Sequence, residues 1–139
     1  MRIVRGLFAL LLAPSTLVAA SLPEKLIGTW IVDRASVKNL GLPPSCESIR
    51  VRYEPSGETL NESGGLSYRS KSRARDAENG LEVTTEPYQN NGKSNCQGLS
   101  AEYFFSHYAA TSHVEIDGNL MRFYVLSKND GRFLLYKRL

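Results

Sequence analysis

The chain has 139 residues, 17 basic and 14 acidic side chains, and two cysteines. That length suits one domain able to bury its own core. A formal net charge of +3 gives no ground for a general polyanion partner.

Residues 1–20 read as an export signal. Met1, Arg2 and Arg5 make a positive start, and "GLFALLLAPSTLVAA" is an apolar run too short for a confident membrane span. Val18 and Ala20 supply the small residues of a cleavage site, so the mature domain is expected to be residues 21–139. Arg2 and Arg5 leave with the signal, so 15 basic residues face 14 acidic ones. The expected location is the periplasm or outside the cell, with no membrane span after processing and a monomeric state. Export carries Cys46 and Cys96 into an oxidising compartment, where an even count favours one disulfide.

"SLPEKLIG" predicts one short helical turn, with Pro23 suited to its start. The rest of the chain is a series of short strands. Turn signals recur at "EPSGE", "ESGG", "AENG", "QNNGK", "IDGN" and "KNDGR", the spacing of an all-β sandwich or barrel. In the first strand Leu26, Gly28, Trp30 and Val32 share one face. In "ESIRVRYE", Ile49, Val51 and Tyr53 face one way and Ser48, Arg50 and Arg52 the other. "SYRSKSRARD" puts Arg69, Lys71, Arg73 and Arg75 on one face. A hairpin across "DAENG" is expected to set Arg73 opposite Glu82 and Arg69 opposite Glu86, a solvated charge ladder. The opposite face carries Tyr68, Ser70, Ser72 and Ala74. These are small groups that leave part of a lumen unfilled.

"YFFSHY" reads as a strand, apolar on both faces. Across "IDGN", Val114 is expected opposite Met121. Across "SKNDG", Val125 is expected opposite Phe133, and Phe123 opposite Leu135. One face then collects Val114, Ile116, Met121, Phe123, Val125, Phe133 and Leu135. The other collects Glu115, Arg122, Tyr124, Arg132, Tyr136 and Arg138. The expected fold is therefore all-β: a small up-and-down antiparallel barrel of seven to eight strands, which buries the apolar face and removes the edges. A two-sheet sandwich is the alternative.

"LPEKLIGTW", a short turn followed by Gly-x-Trp on the first strand, resembles the calycin superfamily of lipocalin-like barrels. The resemblance implies that Trp30 plugs one barrel end, with Gly28 beside it and an arginine of the last strand, Arg138 or Arg132, stacked on its outer face. The chain also resembles bacterial metalloprotease-inhibitor barrels in having the short segment "SLPEK" before Gly-x-Trp. Those inhibitors insert such a segment into an enzyme's cleft. The lipocalins' Thr-Asp-Tyr motif is absent, and a single tryptophan departs from the avidin-like pattern.

The expected function is an exported carrier or sensor for a small lipophilic molecule. Its lumen would have Phe123, Val125 and Phe133 on one wall and Ser70 and Ser72 on the other. The alternatives are a protein-binding inhibitor of an exported protease and a structural envelope protein with a filled barrel. No nucleophile elbow, His-Glu-x-x-His or phosphate loop is present, so the chain is not expected to be an enzyme. His107 and His113 lack a companion cluster, so no metal is expected. No cofactor and no nucleic-acid partner are expected either, since no aromatic interleaves the basic face. "NES" at Asn61 is a glycosylation acceptor in a host that glycosylates.

Overall fold

The computed structural model describes residues 21–108, 110–125 and 127–139. The expected signal segment, residues 1–20, lies outside the described residues. Eight antiparallel strands run up and down around a closed barrel: β1 (Gly28–Val32), β2 (Arg50–Tyr53), β3 (Glu58–Ser63), β4 (Leu66–Ala77), β5 (Gly80–Asn90), β6 (Thr111–Asp117), β7 (Leu120–Tyr124) and β8 (Phe133–Arg138). Each strand pairs with its sequence neighbours, and β8 returns to β1. Closure pairs β1 with β8, the two strands that would be edges of an open sheet.

The expected helical turn is present as a 3-10 turn at Glu24–Leu26, entered from Pro23. Two short helices interrupt the strands, α1 (Arg34–Asn39) and α2 (Ala101–Ser106). The second replaces the strand expected at "YFFSHY". Ser100 caps it, its hydroxyl accepting a hydrogen bond from the Tyr103 N–H at 3.2 Å. Phe104 and Phe105 then pack on Tyr68 and Leu66, forming a small second core.

The inward faces of β1, β2 and β4 follow the sequence pattern. Trp30, Val32, Val51 and Tyr53 are buried, as are Leu66, Tyr68, Ser70 and Ser72 along β4. Three hairpin registers differ from expectation. Between β4 and β5 the turn tightens to Glu78–Asn79, because Asn79 adopts a left-handed φ of 61°. Arg75 therefore faces Glu82, Lys71 faces Glu86 and Arg73 faces Thr84. Between β6 and β7 the turn residues are Gly118 and Asn119, with Gly118 at φ 58°, so Val114 faces Phe123 and Ile116 faces Met121. That shift of two keeps all four side chains on the inner face.

The third difference reverses a face. Tyr124 pairs with Phe133, Phe123 with Leu134 and Met121 with Tyr136, one residue away from the expected register. Leu134 and Tyr136 are buried in the barrel. Phe133 instead sits on the outer face, under the Arg122 guanidinium at 5.6 Å and against Tyr124. Leu135 also turns outward, where its N–H donates to the Ser36 hydroxyl of α1 at 3.1 Å.

The basic face of β4 is paired. Lys71 Nζ lies 2.8 Å from Glu58, Arg69 lies 3.9 Å from the same carboxylate, and Arg73 lies 3.5 Å from Glu86. Arg75 Nε donates to Glu82 at 2.7 Å. Hydrogen bonds from Lys71 and then Tyr88 hold the Glu58 carboxyl below its ordinary range.

Candidate functional site

One end of the barrel is shut. Trp30 is fully buried, and its indole N–H donates to the Leu26 carbonyl at 2.9 Å. Trp30 pairs with Arg138 across β1 and β8, which brings the guanidinium carbon to 4.4 Å from the indole centroid. Arg138 also donates to the Ile27 carbonyl at 2.7 Å and to the Lys25 carbonyl. The arginine thus ties the 3-10 turn, the first strand and the last strand together over one aromatic ring. Gly28 is held at φ 127°, a conformation that L side chains rarely adopt. The nearest atoms to a Cβ there belong to the Arg138 side chain, at 3.8 Å, so Gly28 is set by backbone conformation and not by close backbone approach.

The segment before the plug is also fixed. Leu22 is buried in the core and its N–H donates to the Pro55 carbonyl at 3.1 Å. "SLPEK" is therefore not a free arm of the kind the inhibitor reading required.

Towards the other end the lumen holds a cavity of about 430 Å³. Val51, Val83, Phe123, Leu134 and the rings of Tyr53, Tyr68 and Tyr136 form its walls. The Cys96 loop, α2 and Leu42 surround its opening. Trp30 does not line it. Cys46 and Cys96 are joined in a disulfide. It clips the 3-10 turn at Pro44–Ser48 to the rim loop that follows β5.

Of the residues expected to line the lumen, Phe123 and Val125 do so, Val125 at the exposed mouth. Phe133 does not, for the register reason given above. Ser70 and Ser72 point inward but lie behind the cavity, in a filled hydroxyl network. The Thr59 hydroxyl donates to Ser72 Oγ at 2.8 Å, Ser72 and Thr85 hydroxyls meet at 3.1 Å, and Asn61 Nδ2 donates to Ser70 Oγ at 2.9 Å. Small side chains here leave no void, because their hydroxyls satisfy one another. The Asn61 amide is engaged inward, which argues against its use as a glycan acceptor.

Five tyrosines line the cavity: Tyr53, Tyr68, Tyr108 and Tyr136, with Tyr103 of α2 exposed beside them. Strand parity puts Tyr53 and Tyr68 on inner faces, but it places Tyr136 on the outer face and Tyr108 in a strand, so it does not bring the phenols together. Burial pushes the Tyr53, Tyr68 and Tyr136 hydroxyls well above their ordinary range, and the neighbouring phenols add to it. Burial also raises Tyr108, an effect partly offset by the Tyr68 and Thr85 side chains.

The unfolded chain releases these protons near pH 10, whereas the native state keeps them. Their contribution to stability is therefore intact below about pH 10 and is lost as the pH rises, by about 1.4 kcal/mol per pH unit for each phenol. In a titration followed by phenolate absorbance, Tyr53, Tyr68 and Tyr136, three of the seven tyrosines, should ionise only as the protein unfolds. Ionisation of all seven within the native state would contradict this burial.

Charge is scarce on the cavity wall. Arg50 and Glu62 lie at its rim and pair with each other at 3.7 Å. His107, also at the rim, stacks on Tyr103 with centroids 4.1 Å apart. His113 lies on β6, against Tyr124 of the outer face. Among the described residues no three His, Cys, Asp or Glu side chains cluster as metal ligands, and no helix is long and apolar enough to cross a membrane. No family model, characterised protein or solved structure matches the chain, so a functional reading rests on this geometry.

Proposed function

We propose that the chain is an exported, calycin-like carrier or sensor that binds a small, mainly apolar molecule in its barrel. The observation that carries this reading is the cavity of about 430 Å³ beyond the Trp30 plug. Its size falls in the range of about 300–1,000 Å³ typical of small-molecule sites, and apolar walls with a few polar groups are typical of them too. The Gly28–Trp30–Arg138 arrangement supports the calycin likeness. The disulfide supports a location in the periplasm or outside the cell. The buried Leu22 counts against an inhibitor with a free N-terminal arm, and the cavity counts against a filled structural barrel.

The test is uptake of a neutral fluorescent probe, N-phenyl-1-naphthylamine. Ser112 lines the cavity opposite Val83, so Ser112→Phe would fill part of the space. The wild type should enhance probe fluorescence saturably, and Ser112→Phe should weaken that binding at least about tenfold while remaining folded. Equal binding by both proteins, or none by the wild type, would count against the reading.

A further inference from the structure

We propose that the lumen selects an uncharged ligand bearing a carbonyl-type oxygen, which accepts hydrogen bonding from the otherwise unengaged hydroxyls of Tyr53 and Tyr136. This rests on the carrier reading and specifies its ligand class.

The two side chains are 4% and 6% exposed, and both line the cavity. Among the described residues neither hydroxyl has a hydrogen-bond partner in the protein. Neither is among the sealed polar atoms without partners, which among the described residues are His113 Nε2 and Arg138 Nε. Each hydroxyl therefore opens onto the cavity. Several other polar groups on the inner face are occupied. Tyr68 and Tyr108 act on each other, and Thr59, Ser70 and Ser72 are tied into their own network. Buried hydroxyls are rarely left unpaired, so two of them facing one apolar space define what would complete them.

A phenol offers one proton, and a carbonyl oxygen offers two lone pairs and no proton. The two fit without either phenol having to ionise, which their burial opposes. A carboxylate fits poorly. It would enter a low-dielectric space where, among the described residues, the one lining arginine, Arg50, is paired with Glu62 at the rim. A cation fits no better, because no carboxylate lines the interior beyond Glu62, which is committed to Arg50. A pure hydrocarbon would leave both hydroxyls unpaired.

A matched series tests this: 9-fluorenone, fluorene and fluorene-9-carboxylate, titrated against the wild type and against Tyr53→Phe/Tyr136→Phe. The substitutions keep both rings and remove only the hydroxyls. The wild type should bind fluorenone about tenfold tighter than fluorene, and more tightly than the carboxylate. The double variant should bind fluorene as the wild type does and lose its preference for the ketone; fluorene binding also reports that the variant is folded. Equal binding of fluorene and fluorenone by the wild type would overturn the ligand class while leaving the carrier reading intact. So would a ketone preference that survives in the double variant, or a carboxylate that binds tightest. Failure of all three compounds to bind would overturn both.

Discussion

Trp30→Ala should lower the stability of the barrel by about 3–5 kcal/mol, the usual cost of truncating a fully buried large aromatic. Three interactions go at once. The indole fills the closed end with no exposed surface. Its N–H satisfies the Leu26 carbonyl in a buried bond of 2.9 Å, which would lose its partner. The Arg138 guanidinium, now 4.4 Å from the ring, would cover a void. Trp30→Phe keeps a ring beneath the guanidinium but loses the indole N–H and some volume, so its cost should be intermediate. Urea denaturation at constant m-value measures both. A loss below about 1 kcal/mol for Trp30→Ala would mean that the tryptophan is not the plug. Because Trp30 does not line the cavity, variants that still fold should retain their probe affinity.

Replacing Cys46 and Cys96 with Ala should cost about 2–5 kcal/mol, and the chain-entropy estimate for a bridge spanning 50 residues is about 4 kcal/mol. The bond does more than restrict the unfolded chain. Cys46 is fully buried in the main core, and Cys96 sits in the loop that rims the cavity. Its loss frees that rim from the 3-10 turn at Pro44–Ser48. Stability should therefore drop together with probe affinity. Alkylation of the denatured protein without reductant checks the bridge itself. Two reactive thiols in the purified protein would contradict it.

The closed barrel and its plug were legible because they depend on parity and on one distinctive side chain. Trp30 shares a face with Leu26 and Val32, and no arrangement of the first strand separates them. The β8 register was less legible because Phe133, Leu134, Leu135 and Tyr136 offer an apolar or aromatic residue to either face. The constraint that decides it was nevertheless present. An arginine at position 138 that stacks on inward-facing Trp30 must share its face, and parity then brings Tyr136 and Leu134 inward as well. Treating Arg138 as both an outer residue and a plug cover was inconsistent, and the β1–β8 pairing resolves the conflict in favour of the plug.

The lumen was legible only in outline. Ser70 and Ser72 correctly marked the inner face of β4, but small size did not mean empty space, since their hydroxyls are paired with Thr59, Thr85 and Asn61. That pairing joins β3, β4 and β5 and depends on registers that hairpin rules gave wrongly by two positions. The helix α2 was missed for a related reason. The aromatic density of "YFFSHY" outweighed the capping serine at position 100, although that cap is a local helix signal. What places Tyr53 and Tyr136 on one cavity is the closure of β8 onto β1, a contact between the two ends of the chain that no local pattern records.

A small neutral molecule is expected to enter the barrel. The most direct test is the position of bound N-phenyl-1-naphthylamine, read from intermolecular nuclear Overhauser contacts. Contacts are expected to the methyl groups of Val83 and Leu134, which line the cavity from β5 and β8. Contacts confined to outer-face side chains such as Phe133 or Leu120, with none to Val83 or Leu134, would contradict it.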